Sequence, residues 1–546
     1  MEKKFSVVQR EELKEQLQSQ YFDLLIIGGG ITGAGIALDA SARGMKTALI
    51  EMQDFAAGTS SRSTKLVHGG LRYLKRLEIK LVAEVGKERA IVYHNAMHVT
   101  HPEVMLLPLT KNGSLSKLEA NLGLTLYDFL AGVKKDERRQ MLSAEDTIKT
   151  EPLLRTDVVT GGASYYEYRT DDARLTIELL KKAFEQGATI INYTQATAFL
   201  YHKEKVVGVK AKDLTTGAEF ELKASTIINA CGPWVDNVSE LDKTQEQEGK
   251  KLHLTKGVHL VVDYSKLPLK HSVYFDVKDG RMIFAIPRNG KTYIGTTDTD
   301  YYGDLKEPEI TVQDRDYLLY ACAAMFPAAR LTAADVESGW AGLRPLVKEK
   351  GKSASAISRK DELFESPTGL ITIAGGKLTG YRKMAQRATD LAALRLKTGS
   401  RKFSPCTTEH IKLSGGDLGN DFNAFVKAKT NEGIVAGIPE ADAAFLAATH
   451  GSNASVLFNF YKETSQNKLL EARLRYAVEH EMAVTLADYF IRRTGDLYFN
   501  IKKVKNELDT AASIMERILH WSPEQKQKNI QEVEDKIAKL ENLGSI

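Results

Sequence analysis

The stretch Leu24-Leu25-Ile26-Ile27-Gly28-Gly29-Gly30-Ile31-Thr32-Gly33, running on to Ile50-Glu51, decides the fold. Residues 24–27 are a short apolar run of the kind that forms a buried parallel strand. Gly28 permits a tight turn, Gly30 lets the backbone approach a pyrophosphate, and Gly33 lets a helix predicted over 34–42 pack close to the strand that feeds it. The N-terminus of that helix then faces the phosphates. A second strand, 47–50, ends in Glu51, whose carboxylate is placed to accept hydrogen bonds from adenosine ribose hydroxyls and disfavours a 2′-phosphate. Strand, glycine turn, helix, strand and terminal acid together predict an adenine dinucleotide site. These residues leave open whether the dinucleotide carries a nicotinamide or a flavin.

Working outward, residues 58–73 are dense in glycine and small hydroxyl residues and predict a loop that donates hydrogen bonds to a ligand. A helix is expected over 74–90 and another over 172–186. Residues 225–234 read as a buried strand ending in a small-residue turn, which returns the chain to the dinucleotide sheet. Residues 252–300 alternate in the strand manner and predict a mostly antiparallel sheet, the natural substrate platform. An apolar strand over 370–374 runs into Gly375-Gly376-Lys377-Leu378-Thr379-Gly380 and a helix over 381–396, a second helix N-terminus that can face the cofactor. Beyond about residue 400 the periodicity is helical, including 469–476, 483–493 and a charged helix near 523–542.

At 546 residues the chain holds about three domains of roughly 100–200 residues each. Its 75 basic and 71 acidic residues leave a net +4, too near neutral to argue for nucleic acid. Cys231, Cys322 and Cys406 have no paired spacing, so neither a disulfide framework nor a metal site is expected, and a reducing, cytoplasmic setting fits. Met1-Glu2-Lys3-Lys4-Phe5 lacks the apolar core of a secretory signal, and no stretch approaches the roughly 18 apolar residues that span a bilayer. Any membrane association is therefore peripheral. Residues 8–20 predict a short amphipathic or plain polar helix, with a membrane role as the lesser reading. The basic run Lys134-Lys135 with Arg138-Arg139 reads as a solvated face, anionic lipid being its alternative.

The ordered set of Gly28 to Gly33, Thr59-Ser60-Ser61, Lys65 to Tyr73, Asp171-Asp172-Ala173-Arg174-Leu175, Asn229 to Trp234, Gly295-Thr296-Thr297-Asp298, Gly342 to Leu346 and Gly375 to Thr379 resembles the flavin-dependent glycerol-3-phosphate dehydrogenases. These belong to the D-amino-acid-oxidase-like flavoproteins, and the resemblance covers nearly the whole chain. It implies FAD, oxidation of sn-glycerol 3-phosphate to dihydroxyacetone phosphate, and delivery of electrons to a membrane quinone. It also implies peripheral attachment to the inner face of the cell membrane and is compatible with a homodimer. The expected fold is α/β: an FAD-binding Rossmann-like domain, an antiparallel-sheet substrate domain and a C-terminal α-helical domain. The expected division is an N-terminal extension over 1–20, an oxidoreductase core over 21–400 and a helical domain over 401–546. Within the core, FAD-binding segments fall at about 21–100, 170–235 and 365–398, and substrate-domain segments at about 101–169 and 236–364.

By the same resemblance the FAD contacts are Gly28, Gly30, Ile31, Thr32, Gly33, Glu51, Thr59, Ser60, Ser61, Lys65, Leu66, His68, Gly69, Leu71, Ala196, Gly232, Trp234 and Gly375 to Thr379. Oxidising a secondary alcohol requires a base, a phosphate anchor and the flavin as hydride acceptor. His259, between apolar strand neighbours, is the base candidate. Arg344, read in a Gly-Leu-Arg-Pro-Leu turn, is the phosphate anchor, since a guanidinium matches phosphate oxygens bidentately. Arg72 and Tyr73 form a second substrate pair. Lys377 stands where an ammonium contacts substrate or stabilises the reduced flavin. Alternatives are an oxidase that passes electrons to oxygen, an amine or hydroxy-acid oxidase of the same fold, a nicotinamide-dependent dehydrogenase and a flavin-binding sensor without turnover.

Overall fold

The computed structural model describes residues 4–68, 79–111, 113, 116–131, 138–242, 251–347, 361–397 and 402–544. The first sheet is built on Tyr21–Ile27, which pairs in parallel with Thr47–Ile50 and with Glu219–Asn229. The parallel order continues to Thr189–Ile191 on one side and Ile371–Gly375 on the other. Asp361–Glu365 closes an edge, and a meander of Thr194–His202 and Lys205–Asp213 attaches antiparallel to the start of Glu219–Asn229. Leu24 and Ile26 point toward the helices Ile31–Ala42, Asp172–Glu185 and Tyr381–Leu396, while Leu25 and Ile27 pack with Phe199 and Val209 of the meander. Both faces are covered, which is why the strand reads as an unbroken apolar run. Ile27 lies opposite both Ile50 and Asn229, so the glycine turn, Glu51 and the 230–234 turn leave the sheet at one carboxyl edge.

The second sheet is antiparallel except where Ser272–Asp276 runs parallel to Thr100–Thr110. Its middle strands are Leu252–Asp263, Lys291–Gly295 and Met282–Arg288, and Val336–Val347 pairs along the length of Leu252–Asp263. Thr100–Thr110 and Val159–Thr170 extend the same sheet. The predicted helix over 74–90 is seen as Ile79–Asn95, its first residues lying outside the described ones.

From Phe422 onward the described chain is helical, including Lys468–Glu481, Ile501–Leu519 and Pro523–Glu541. The helix expected over 483–493 starts only at Leu486. Met482 adopts φ +52°, and the Val484 and Thr485 N–H groups donate to the Asp488 carboxylate, so the chain turns there before the π-helical Asp488–Arg493 begins. That turn serves an interface. The buried Asp54 carboxylate, just past the second strand, receives Arg492 and both terminal nitrogens of Arg493, while Arg174 reaches across to Glu481.

The N-terminal helix Arg10–Ser19 buries Leu13 and Leu17, and its Arg10 and Lys14 pair with the buried Asp213 at 2.9 and 3.0 Å. Its apolar face is used inside the protein, packed on the parallel sheet and its helices, in keeping with the ordinary reading of that segment over a membrane role. Lys134 and Lys135 lie outside the described residues, and Arg139 donates to Asn121 Oδ1 at 3.0 Å. No helix among the described residues is long and apolar enough to cross a membrane.

Candidate active site

A cleft of about 700 Å³ runs from the carboxyl edge of the parallel sheet to one face of the antiparallel sheet. Gly28 stands at φ +113°, and a Cβ there would lie 2.7 Å from the Ala230 carbonyl oxygen. A Cβ on Gly33 would lie 1.9 Å from the Gly28 carbonyl oxygen, so Gly33 serves the packing of helix on turn and does not itself line the cleft. Gly30, Ile31 and Thr32 do line it. The helix Ile31–Ala42 opens without a side-chain cap at Gly30, and the Ser60 hydroxyl accepts only the Ile31 N–H, at 2.9 Å. The partial positive charge of the helix end is therefore presented to the cleft.

Glu51 accepts the Gly29 N–H at 2.6 Å and the Gln53 N–H at 2.8 Å. Burial pushes its carboxyl above the ordinary range, against those two donors. Thr59, Ala196, Gly232 and Trp234 form further walls. Opposite, Gly375 and Gly376 take φ +78° and +80° and carry the chain into Lys377, Leu378 and Thr379, all at the cleft. The Thr379 hydroxyl accepts the His68 N–H and donates to the His68 carbonyl, both at 3.1 Å, which joins this turn to the loop that holds Leu66 and His68.

Strand register assembles the other half. His259 stands opposite Gly295 on one neighbour and Trp340 on the other, and Gly295 in turn stands opposite Phe284, which faces Tyr274. One row across five strands thus reads Tyr274, Phe284, Gly295, His259, Trp340. Two residues along, Gly257 faces Gly342, and two further, Thr255 faces Arg344, so His259 and Arg344 share a sheet face by the period-two rule. The glycines make the room. A Cβ on Gly295 would lie 2.1 Å from His259 Cδ2, and one on Gly257 would lie 2.2 Å from Arg344 Nη2.

His259 is 1% exposed. Its ring stacks on Trp340 with centroids 4.9 Å apart and planes 13° from parallel, and its Nε2 meets Thr64 Oγ1 at 3.0 Å. Burial first, then the charges of Arg344 and Lys65, hold its pKa well below the usual histidine value. The imidazole is accordingly neutral and able to take a proton. Arg344 donates to Thr296 Oγ1 at 2.8 Å and to the Thr297 carbonyl and Asp298 Oδ1, both at 3.2 Å, which fixes its guanidinium at the cleft wall. It lies in the strand Val336–Val347 and not in the turn expected for it; Pro345 is tolerated because this is an edge strand, paired only with Leu252–Asp263 among the described strands.

Not every candidate faces the cleft. Lys65 sends its ammonium to Asp172 Oδ1 at 2.7 Å and to the Ser61 carbonyl at 3.0 Å, beneath the Trp340 ring, and Ser61 is buried beside it. Gly69, Leu71, Arg72 and Tyr73 lie outside the described residues. Sequence reasoning missed Thr64 and Trp340. Thr64 was visible only as one hydroxyl in a hydroxyl-rich loop. Trp340 was hidden by the turn assignment, because only a strand places residues 340, 342 and 344 on one face.

An uncapped helix end, a half-buried acid at the tip of the second strand and two glycine turns that a Cβ or a different φ would spoil fit a bound flavin dinucleotide. The family described as FAD dependent oxidoreductase matches residues 23–382, and one described as the C-terminal domain of alpha-glycerophosphate oxidase matches residues 406–526. The chain is 53% identical over 539 residues to the aerobic glycerol-3-phosphate dehydrogenase of Bacillus subtilis, covering 97% of each. It is equally 53% identical over 548 residues to that of Staphylococcus aureus strain USA300, covering 98% of each. Its fold matches the crystal structure of the glycerol-3-phosphate dehydrogenase from Bacillus halodurans complexed with FAD, with TM-score 0.85, 45% identity and 98% of each chain covered. An L-alpha-glycerophosphate oxidase from Mycoplasma pneumoniae, at 21% identity and TM-score 0.55, shares the fold.

Proposed function

We propose, for a chain that belongs to the FAD-dependent oxidoreductases and among them to the aerobic glycerol-3-phosphate dehydrogenases, the oxidation of sn-glycerol 3-phosphate to dihydroxyacetone phosphate, the electrons passing to a membrane quinone. The observation that carries the reading is one sheet face on which a neutral imidazole and a fixed guanidinium meet a cleft that also receives two glycine turns. When bound, FAD supplies the hydride acceptor. Gly30 and Thr32 would hold its pyrophosphate by backbone N–H groups, with Ile31 lining the same wall and its own N–H given to Ser60, Glu51 would hold its ribose, and the Gly375-to-Thr379 turn lies on the opposite wall. Arg344 binds the substrate phosphate. His259 takes the hydroxyl proton on its imidazole, where Nε2 already trades a hydrogen bond with Thr64. Trp340 holds that ring in plane, and Lys377 adds a positive charge at the second turn.

The test is an anaerobic absorption spectrum of the purified protein before and after sn-glycerol 3-phosphate. Bleaching by that compound and not by glycerol is expected, and a flavin band that stays unchanged would overturn the substrate assignment. A second acceptor, oxygen, is favoured by one observation, the match of residues 406–526 to the alpha-glycerophosphate oxidase domain. Stoichiometric peroxide in air, with no reduction of a quinone analogue, would establish that reading over the first.

A further inference from the structure

A second cavity, of about 430 Å³, lies where the two sheets meet the helical domain, and it shares no lining residue with the cleft. Five arginines reach its wall against two carboxylates, Asp171 and Glu481. Two of the arginines are well neutralised, Arg174 by Glu178 and Glu481 and Arg493 by Asp54. The other three are not. Arg288 meets Asp171 at 3.3 Å, Arg169 meets Glu103 at 3.5 Å, and Arg473 meets Asp496 at 3.7 Å, each at or beyond the edge of hydrogen bonding.

Donors are also left over in the same place. Arg288 Nη1 and the Tyr489 hydroxyl are buried atoms that make no hydrogen bond among the described residues, Arg169 Nε reaches only Glu103, at 3.5 Å, and Tyr489 is only 1% exposed. Buried donors of this kind are satisfied by a ligand or by water. Guanidinium N–H and phenol O–H groups are the complement of an oxyanion. The histidines of the wall add no charge of their own. Burial, then Arg169 and Arg288, holds His101 at about 4. Burial, then Lys181 and Arg174, holds His98 at about 3. A cation is a poor occupant. Glu178, His450 and Glu481 do bring ligand atoms within 4.8 Å of one another, but Arg174 and Lys181 already hold both carboxylates.

We propose that this cavity binds a small multivalent oxyanion of the phosphate class, held by Arg169, Arg288 and Arg473 with the Tyr489 hydroxyl donating. The three arginines come from Val159–Thr170, Met282–Arg288 and Lys468–Glu481, so the anion fastens the substrate sheet to the helical domain. Met282–Arg288 also carries Met282 and Phe284 at the cleft, which makes the anion a brace for the sheet that presents His259.

The test is equilibrium dialysis of the full-length, FAD-loaded protein against radiolabelled inorganic phosphate, comparing wild type with Arg473→Gln, Arg169→Gln and Arg344→Ala. A phosphate class that weakens at least tenfold in Arg473→Gln and Arg169→Gln but persists in Arg344→Ala is expected. Unchanged binding in the first two, or loss of all binding in Arg344→Ala, would overturn the proposal. Arg169 is a quarter exposed at its side chain, so Arg169→Gln carries the test if Arg473→Gln does not fold. The wild-type thermal midpoint should rise with added phosphate, and the rise should be missing in Arg169→Gln. An equal rise in both would count against the site.

Discussion

As the proposed base, His259 has an environment that weakens it and a geometry that places it at the cleft, and the two properties have separate tests. Because its pKa is held far below 6.5 by burial and nearby cations, the imidazole is deprotonated on both sides of the ordinary histidine value. The rate of anaerobic flavin bleaching should therefore show no break near pH 6.5. His259→Gln should slow bleaching by about 10²–10⁴, the usual worth of a positioned base, with FAD retained. A variant with full turnover would end that assignment. Gly295→Ala asks the geometric question, since the added methyl would stand 2.1 Å from the imidazole and must push it. Turnover should fall as in His259→Gln while the flavin spectrum is unchanged. For Arg344→Ala the expected signature is a KM for glycerol 3-phosphate raised by about 10²-fold or more, from loss of a charge-assisted bidentate contact.

At the level of elements, the second strand does two jobs within a few residues. Glu51 at its end belongs to the cleft, and Asp54, one turn later, is the buried anchor for Arg492 and Arg493 of the helical domain. Removing one partner of a buried ion pair leaves an uncompensated charge and costs about 3–5 kcal/mol. Asp54→Asn should accordingly lower the thermal midpoint and weaken FAD retention together, read by unfolding scans and by flavin released on dilution. Loss of stability with normal flavin retention would separate the two jobs. The elements also show where the sequence was legible. The Gly28-to-Gly33 turn and its strands and helix were, because a cradle built from backbone has few alternatives in residue type. Arg344 was recognised as a residue and misplaced as an element, because Gly342 and Pro345 resemble turn punctuation until the long partner strand Leu252–Asp263 is seen beside them. The Asp54 anchor was not legible at all. Its partners lie more than 400 residues away, and no local pattern marks one aspartate as buried.

Across the whole molecule, burial decides the acid limit of stability. His98, His101, His259, His450 and His480 all have pKa values lowered first by burial, His101 and His480 to about 4 and His98 to about 3. The unfolded chain takes up protons near pH 6.5 that the folded chain refuses, so stability present above that value falls as pH drops below it. The slope is at most about 1.4 kcal/mol per pH unit for each site. Asp54 behaves differently. Burial would raise its pKa, but Arg493 and Arg492 overcome that and hold it at about 2, so its contribution survives until far more acid conditions. The thermal midpoint should decline between pH 7 and 5, well before the carboxylate pairs titrate, and a flat midpoint over that interval would contradict the account. One further property follows from the stack of Trp340 on His259. The chain has three tryptophans: Trp340 behind the imidazole, Trp234 on the cleft wall, and Trp521 against the distant helical core. An isoalloxazine absorbs where indole emits, so Trp234 on the cleft wall, and Trp340 one ring behind that wall through His259, would be energy donors to a bound flavin, with Trp521 set apart in the helical core. Ultraviolet emission of the unlabelled protein is thus a built-in gauge of how much cofactor it carries.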